Sequence, residues 1–194
     1  MPIAVTDVIV NGGVTSGLTG WSGVDMEVNP ASSYIAGGGT NKVAEMDGRT
    51  GFTTVMQQTF TVARSGSTTL TLKSALRTAS LPKAGLEGFT VEILNSSGAV
   101  VATMTVKPTT TTWNTYSLPI TFPAAGSYTV RFTELGPDDS LGAIIDNVSL
   151  LVCFAGQTRI RMERGEYPKA WGNCVLLLRL AGFMDAFCPG NFPA

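Results

Sequence analysis

From residue 5 to residue 150, apolar and polar positions alternate in short runs broken by Gly, Asn, Asp and Pro turns. This is the two-residue period of half-buried strands. Residues 55–62 put Val55, Gln57, Thr59 and Thr61 on one face and Met56, Gln58, Phe60 and Val62 on the other. Residues 68–76 alternate through Leu70, Leu72 and Ser74. Residues 89–94 end in a turn at Asn95, Ser96, Ser97 and Gly98, and 100–106 return as the second arm of a hairpin. Further strands are predicted at 8–10, 24–28, 42–46, 111–120, 126–134 and 143–150, nine or ten in all. No stretch here carries a 3.6-residue apolar stripe for longer than one turn, so the class is all-β, a sandwich of two antiparallel sheets.

The texture changes after residue 152, which divides the chain into a module at 1–152 and a tail at 153–194. Residues 159–166 are locally charged, 175–187 are predicted as a short amphipathic helix, and 188–194 as irregular. A module of about 150 residues buries roughly 70% of its unfolded surface and needs neither disulfide nor metal for its core. The cysteines (Cys153, Cys174 and Cys188) all fall in the tail, where an odd count leaves a thiol for pairing between copies in a homo-oligomer.

Composition narrows the function. The net charge of −1, with no Lys/Arg block, lacks the phosphate-neutralising footprint of nucleic-acid binding. The longest apolar run, 150–155, is far short of the ~20 residues of a membrane span. The first seven residues carry neither a basic stretch nor an apolar core, so no cleavable signal peptide is expected. With no histidine there is no Ser-His-Asp or Cys-His pair and no imidazole general base.

Residues 8–150 resemble the galactose-binding-like jelly-roll modules of secreted bacterial proteins. The resemblance rests on Val10, Asn11 and Gly12, on Gly20 and Trp21, on residues 43–48, and on Phe60, Thr61 and Val62. Residues 89–93 and 113–122 continue it, and Ile145, Asp146, Asn147, Val148 and Ser149 close it. It implies a jelly roll that binds a glycan or polysaccharide without catalysis, placed outside the cell or on a cell or particle surface. It also implies a structural calcium, with Glu45, Asp47 and Asp146 as candidate ligands. Where such modules often place a carboxylate after the first Asn-Gly, this chain has Gly13, Val14 and Thr15. The start of the tail resembles a Hint (intein and hedgehog-like) domain through Cys153 and Phe154, Thr158 to Ile160, and Arg164 to Pro168, truncated soon afterwards. Without the histidine that assists the acyl shift in that family, autoprocessing is not expected.

Sugar contacts are assigned to loops 30–40 and 78–88, the longest, which a sandwich would crowd at one end. Trp21 and Tyr34 are candidate stacking platforms, set against anchoring the sandwich edge and capping a loop. Trp113 reads as packing. Glu27, Glu45, Arg77, Arg131 and Glu134 interrupt strands, where charged residues are seldom buried unless paired. Arg77, with a planar donor fork suited to vicinal oxygens, is the leading hydrogen-bond donor, with Glu27, Glu134 and Asp138 as partners. The alternatives are solvent-facing ends of the alternation or an internal Arg–Glu pair, a glycoside hydrolase using two of the glutamates, and an assembly component whose jelly roll associates with copies of itself.

Overall fold

The computed structural model describes residues 4–137, 139–154, 175–179 and 183–187. Its strands run in the order β1 (Ala4–Asp7), β2 (Ser22–Val24), β3 (Glu27–Pro30), β4 (Lys42–Met46), β5 (Val55–Val62), β6 (Gly66–Leu76) and β7 (Gly88–Asn95). Then follow β8 (Val100–Val106), β9 (Asn114–Phe122), β10 (Gly126–Leu135) and β11 (Ala143–Phe154). One sheet has the order β3-β4-β11-β6-β9 with β1 also on β11, and the other has β2-β5-β10-β7-β8. The pairings are antiparallel. The fold is a jelly-roll sandwich.

Strand alternation sorts the side chains between core and outside. Met56, Phe60 and Val62 from β5, Phe89, Val91 and Ile93 from β7, and Tyr128, Val130 and Phe132 from β10 meet Leu70, Leu72, Leu118, Ile120, Ile145 and Leu150 of the opposite sheet. Full burial of each such side chain contributes about 1.5–3 kcal/mol. Phe122 lies edge-on to Tyr128 with ring centroids 4.6 Å apart, and Phe89 is edge-on to Phe132 at 5.9 Å. A smaller apolar cluster (Ala31, Tyr34, Ile35, Val43, Ala75 and Ile144) sits on the outer side of the first sheet, beneath the segment joining β3 to β4.

Three departures from the alternation have local causes. The run expected at 24–28 is two strands in different sheets, because Asp25 turns the chain at φ +57°. Asp is among the few residues that tolerate that region. Residues 8–10 turn away from β1 through a bond from Val8 N–H to the Leu150 carbonyl, and end at Asn11, Gly12 and Gly13. A Cβ on Gly12 would lie 1.8 Å from the Val148 carbonyl oxygen, so only glycine fits that approach. β11 carries a register shift between Asp146 and Ser149, with Asn147 at φ +52°.

β11 also runs past the expected boundary at residue 152, pairing Cys153 with Val5 and Phe154 with Ala4. The helix expected over 175–187 is instead a hairpin of two strands, β12 (Val175–Arg179) and β13 (Phe183–Phe187). There Val175, Leu176, Leu177 and Leu178 form an unbroken apolar run, for which periodicity does not separate helix from strand. The Hint-like residues 158–168 lie outside the described residues.

Candidate binding site

Two neighbouring groups of polar residues occupy one end of the first sheet. The first is a clasp on its outer face. Glu27 of β3 stands directly opposite Glu45 of β4, a like-charge pairing that needs compensation. Arg77, just past β6, supplies it. Its Nη1 bonds Glu45 Oε1 and donates at 2.8 Å to the Ser140 carbonyl, while its guanidinium lies 5.2 Å from the centre of the Tyr34 ring. Asn29 Nδ2 donates to Glu27 at 2.5 Å and to the Tyr34 hydroxyl at 3.1 Å. Its centre is buried, with Tyr34 5% exposed and Glu45 1%, while Glu27, Asn29 and Arg77 are half-buried. Burial pushes the Glu45 carboxyl up to about 8, opposed by Arg77 and reinforced by Glu27. Glu45 Oε2 and Arg77 Nε are buried without hydrogen-bond partners.

The second group is built by the loops that close this end. Residues 47–54, joining β4 to β5, hang on carboxylates of neighbouring elements. Asp25 accepts from the Arg49 N–H at 2.8 Å, from Arg49 Nε at 2.5 Å and from the Thr54 hydroxyl at 3.2 Å. Burial alone would raise the Asp25 pKa, but the hydrogen bonds from Arg49 and Thr54 and the Arg49 charge bring it below the ordinary carboxylate range. Glu134 accepts the Thr54 N–H at 2.6 Å. Asp47 accepts the N–H groups of Asp139 and Leu141, each at 3.1 Å, tying loop 47–54 to the loop between β10 and β11. Thr50 N–H donates to Ser140 Oγ at 3.0 Å.

Those tethers leave a platform facing solvent. Phe52 is 46% exposed, and the Arg49 guanidinium lies 4.5 Å from its ring centre. Such a stack contributes about 0.5–1 kcal/mol at an exposed site. Asp25 fixes Arg49 through Nε, and the Arg49 side chain is 67% exposed. An apolar ring, a planar donor and the Thr50 and Ser140 hydroxyls share this end of the molecule.

The structure therefore brings Glu27, Tyr34, Glu45 and Arg77 together, but as a clasp bonded within itself, with Tyr34 and Glu45 buried at its centre. Tyr34 lies under Arg77 and has no open face of the kind a stacking platform needs. Arg77 is in the internal Arg–Glu pair that was one of the sequence alternatives. Trp21 is 7% exposed, packs 5.9 Å from Phe132 and donates its indole N–H to the Asn11 carbonyl, so it anchors the core edge rather than facing a sugar. Glu134 holds the Thr54 backbone. Asp138 lies outside the described residues. Arg131 is on the outer face of the second sheet, paired with Glu92 at 2.7 Å.

Sequence reasoning missed Phe52 and Arg49. The available signal was a large aromatic in the turn-rich segment from Asp47 to Thr54, outside any alternating run and so without a strand to carry it inward.

The implied calcium can be tested against the same geometry. Glu45 is in the clasp, Asp47 is bonded to backbone amides, and Asp146 lies further along β11, beyond Ile145, which pairs with Ala44. Asp146 accepts from Asn41 Nδ2 at 2.8 Å and from the Asn147 N–H at 2.7 Å, and burial raises its pKa. These residues do not converge on one ion, and among the described residues no three acidic, Cys or His side chains could hold a metal. They do not fit a shared calcium site.

No model of a protein family matches the chain, and no curated protein matches it. Solved structures do. "Family 16 Carbohydrate Binding Module-2" is 20% identical with a TM-score of 0.54, over 74% of this chain and 98% of that one. "TmCBM61 in complex with beta-1,4-galactotriose" is 15% identical with a TM-score of 0.55, over 75% and 97%. An arabinose-bound GH51 α-L-arabinofuranosidase is 13% identical with a TM-score of 0.52; this chain spans 26% of its length. At these identities the likeness establishes the jelly-roll fold, one that carbohydrate-binding modules share.

Proposed function

We propose that this chain is a non-catalytic glycan-binding module, working outside the cell or on a cell or particle surface. The observation that carries the proposal is the Phe52 ring, exposed at a loop end and backed by an Arg49 that Asp25 holds in place. A pyranose presents an apolar C–H face flanked by hydroxyls. An aromatic ring beside fixed donors matches both features, and pre-organised groups bind with less ordering cost. The fold supports the reading, since solved structures sharing it include one described as in complex with β-1,4-galactotriose.

The way the carboxylates are used supports the non-catalytic reading. Glu45 is ion-paired to Arg77, Glu27 takes the Asn29 amide, and Glu134 takes the Thr54 backbone N–H. A glycosidase needs two carboxyls facing one bond, one of them as a proton donor.

The test is affinity electrophoresis of the full chain through gels containing a broad set of soluble polysaccharides. At least one should retard it, and Phe52→Ala should abolish the retardation while the melting temperature holds. If none retards it, the proposal fails. A defined oligomer by light scattering would then favour the assembly role.

A further inference from the structure

We propose that Lys83 and Asp139 are a self-condensing pair, which join through an amide between Lys83 Nζ and Asp139 Cγ while Glu87 relays the protons. This inference is independent of the glycan-binding reading.

Lys83 ends the 3-10 turn Thr78–Lys83, which carries the chain from β6 in one sheet towards β7 in the other. Asp139 lies where the chain crosses back from β10 to β11. The two crossings meet at one end of the sandwich, where the Lys83 ammonium is in direct contact with the Asp139 carboxylate. The backbone around Asp139 is fixed on several sides. Asp47 accepts the N–H groups of Asp139 and Leu141, each at 3.1 Å. Arg77 donates to the Ser140 carbonyl at 2.8 Å, and the Ser80 hydroxyl donates to the Leu141 carbonyl. Reacting groups held in this way have already lost the freedom that an encounter in solution would cost.

An ordinary surface ion pair keeps its charges in water. Here the Lys83 and Asp139 side chains are 35% and 24% exposed, yet both carboxylate oxygens of Asp139 are shut off from solvent, with Lys83 as their partner. Glu87 is fully buried, and neither of its oxygens has a hydrogen-bond partner. It packs against Gly136, three residues before Asp139, so closely that a Cβ there would clash with Glu87 Oε2. It is also near enough to Lys83 for their charges to interact. Burial raises the Glu87 pKa, opposed by Lys83 and reinforced by Asp47, which draws the carboxyl towards its protonated form. Charges taken out of water are costly, so the neutral amine and acid come within reach of the ion pair, and condensation removes both charges.

The step balances without an oxidant or a co-reactant. Lys83 passes a proton to Asp139, and the neutral Nζ lone pair attacks Cγ. The N–C bond forms and the C–O bond to one carboxyl oxygen breaks. Glu87 protonates the departing oxygen, which leaves as water, and takes a proton back from the nitrogen. The product ties the two crossings together in a module that has no cysteine before residue 153, and so no disulfide to do the same.

The experiment is mass spectrometry of the full chain, reduced and denatured. The chain should weigh one water less than its sequence requires. A tryptic digest should yield a branched peptide uniting the segments around Lys83 and Asp139, with the branch placed by fragmentation. Lys83→Met should restore the full mass. A succinimide at Asp139 also sheds one water, but that loss would persist in Lys83→Met. Glu87→Gln, which keeps the shape of the side chain, should leave most molecules unjoined.

Full mass in the unaltered chain, or a water loss that survives Lys83→Met, would overturn the proposal. Joining that goes to completion in Glu87→Gln would overturn the relay. Should a variant misfold, fragmentation of the unaltered chain still decides whether the bond exists.

Discussion

Asp25 and Arg49 are joined twice: the Asp25 carboxylate takes both the backbone N–H of Arg49 at 2.8 Å and its Nε at 2.5 Å. The first bond fixes the path of loop 47–54 and the second fixes the plane of the guanidinium. Because Asp25 also forms the corner at which the chain passes from one sheet to the other, the orientation of the exposed stack is set by the framework of the sandwich.

Removing the Asp25 carboxylate should therefore act on both loop and platform. In Asp25→Ala, the Arg49 N–H and Nε lose their acceptor while the Thr54 hydroxyl keeps the residue-25 backbone carbonyl, a loss of about 0.5–1.5 kcal/mol. The expected result is a lowered melting temperature, faster hydrogen exchange at Arg49, and weaker glycan binding than any fall in stability explains. Unchanged exchange at Arg49 would show that the loop stands without Asp25.

Phe52→Ala should behave differently. The ring is half exposed and outside both apolar clusters, so its loss should change stability by no more than about 0.5 kcal/mol. Glycan affinity should fall tenfold or more. A calorimetric titration beside a thermal melt separates the two effects, and a large fall in melting temperature with intact binding would contradict the placement of Phe52.

Glu45 gives a pH dependence whose sign is fixed. Its folded pKa is about 8, well above that of an unfolded glutamate. The folded state thus holds a proton that the unfolded state releases, so this group's contribution is full below the unfolded value and is lost as pH rises towards 8. Glu45→Gln cannot ionise. The stability of the native chain relative to Glu45→Gln should fall as pH rises from about 5 to about 8, with a slope on the order of 1.4 kcal/mol for each step of one in pH. Parallel pH profiles from denaturant unfolding would show that Arg77 keeps the carboxylate charged throughout.

Gly12→Ala tests the closure of the sandwich. The added Cβ would meet the Val148 carbonyl oxygen at 1.8 Å, and Gly12's own carbonyl accepts the Val148 N–H at 3.0 Å. Backbone must move on one side or the other. Unfolding by denaturant should show a loss of several kcal/mol, the range reserved for strain and broken buried bonds. Gly17→Ala, where nothing lies within 4 Å of the Cβ but φ is +64°, should be much milder.

The sequence by itself determined the strands whose alternation runs uninterrupted. Residues 42–46, 55–62 and 100–106 fall where the pattern puts them; in 55–62 every second side chain is buried, and a period of two leaves one workable register. The all-β class and the hairpin at Asn95 to Gly98 follow from the same local physics. Only the tertiary structure decided the break at Asp25, since a left-handed aspartate and a change of sheet leave no trace in an apolar–polar pattern. The site divided in the same way. Sequence showed that charged residues within strands need partners, and Glu45 and Arg77 found each other, but it gave no measure of which aromatic would stay outside. Tyr34 is buried because the segment after β3 folds down onto the sheet, and Phe52 is exposed because loop 47–54 is held out by Asp25, Asp47 and Glu134. Such long-range hydrogen bonds join residues up to 94 positions apart, and periodicity, which reports only neighbours, cannot register them.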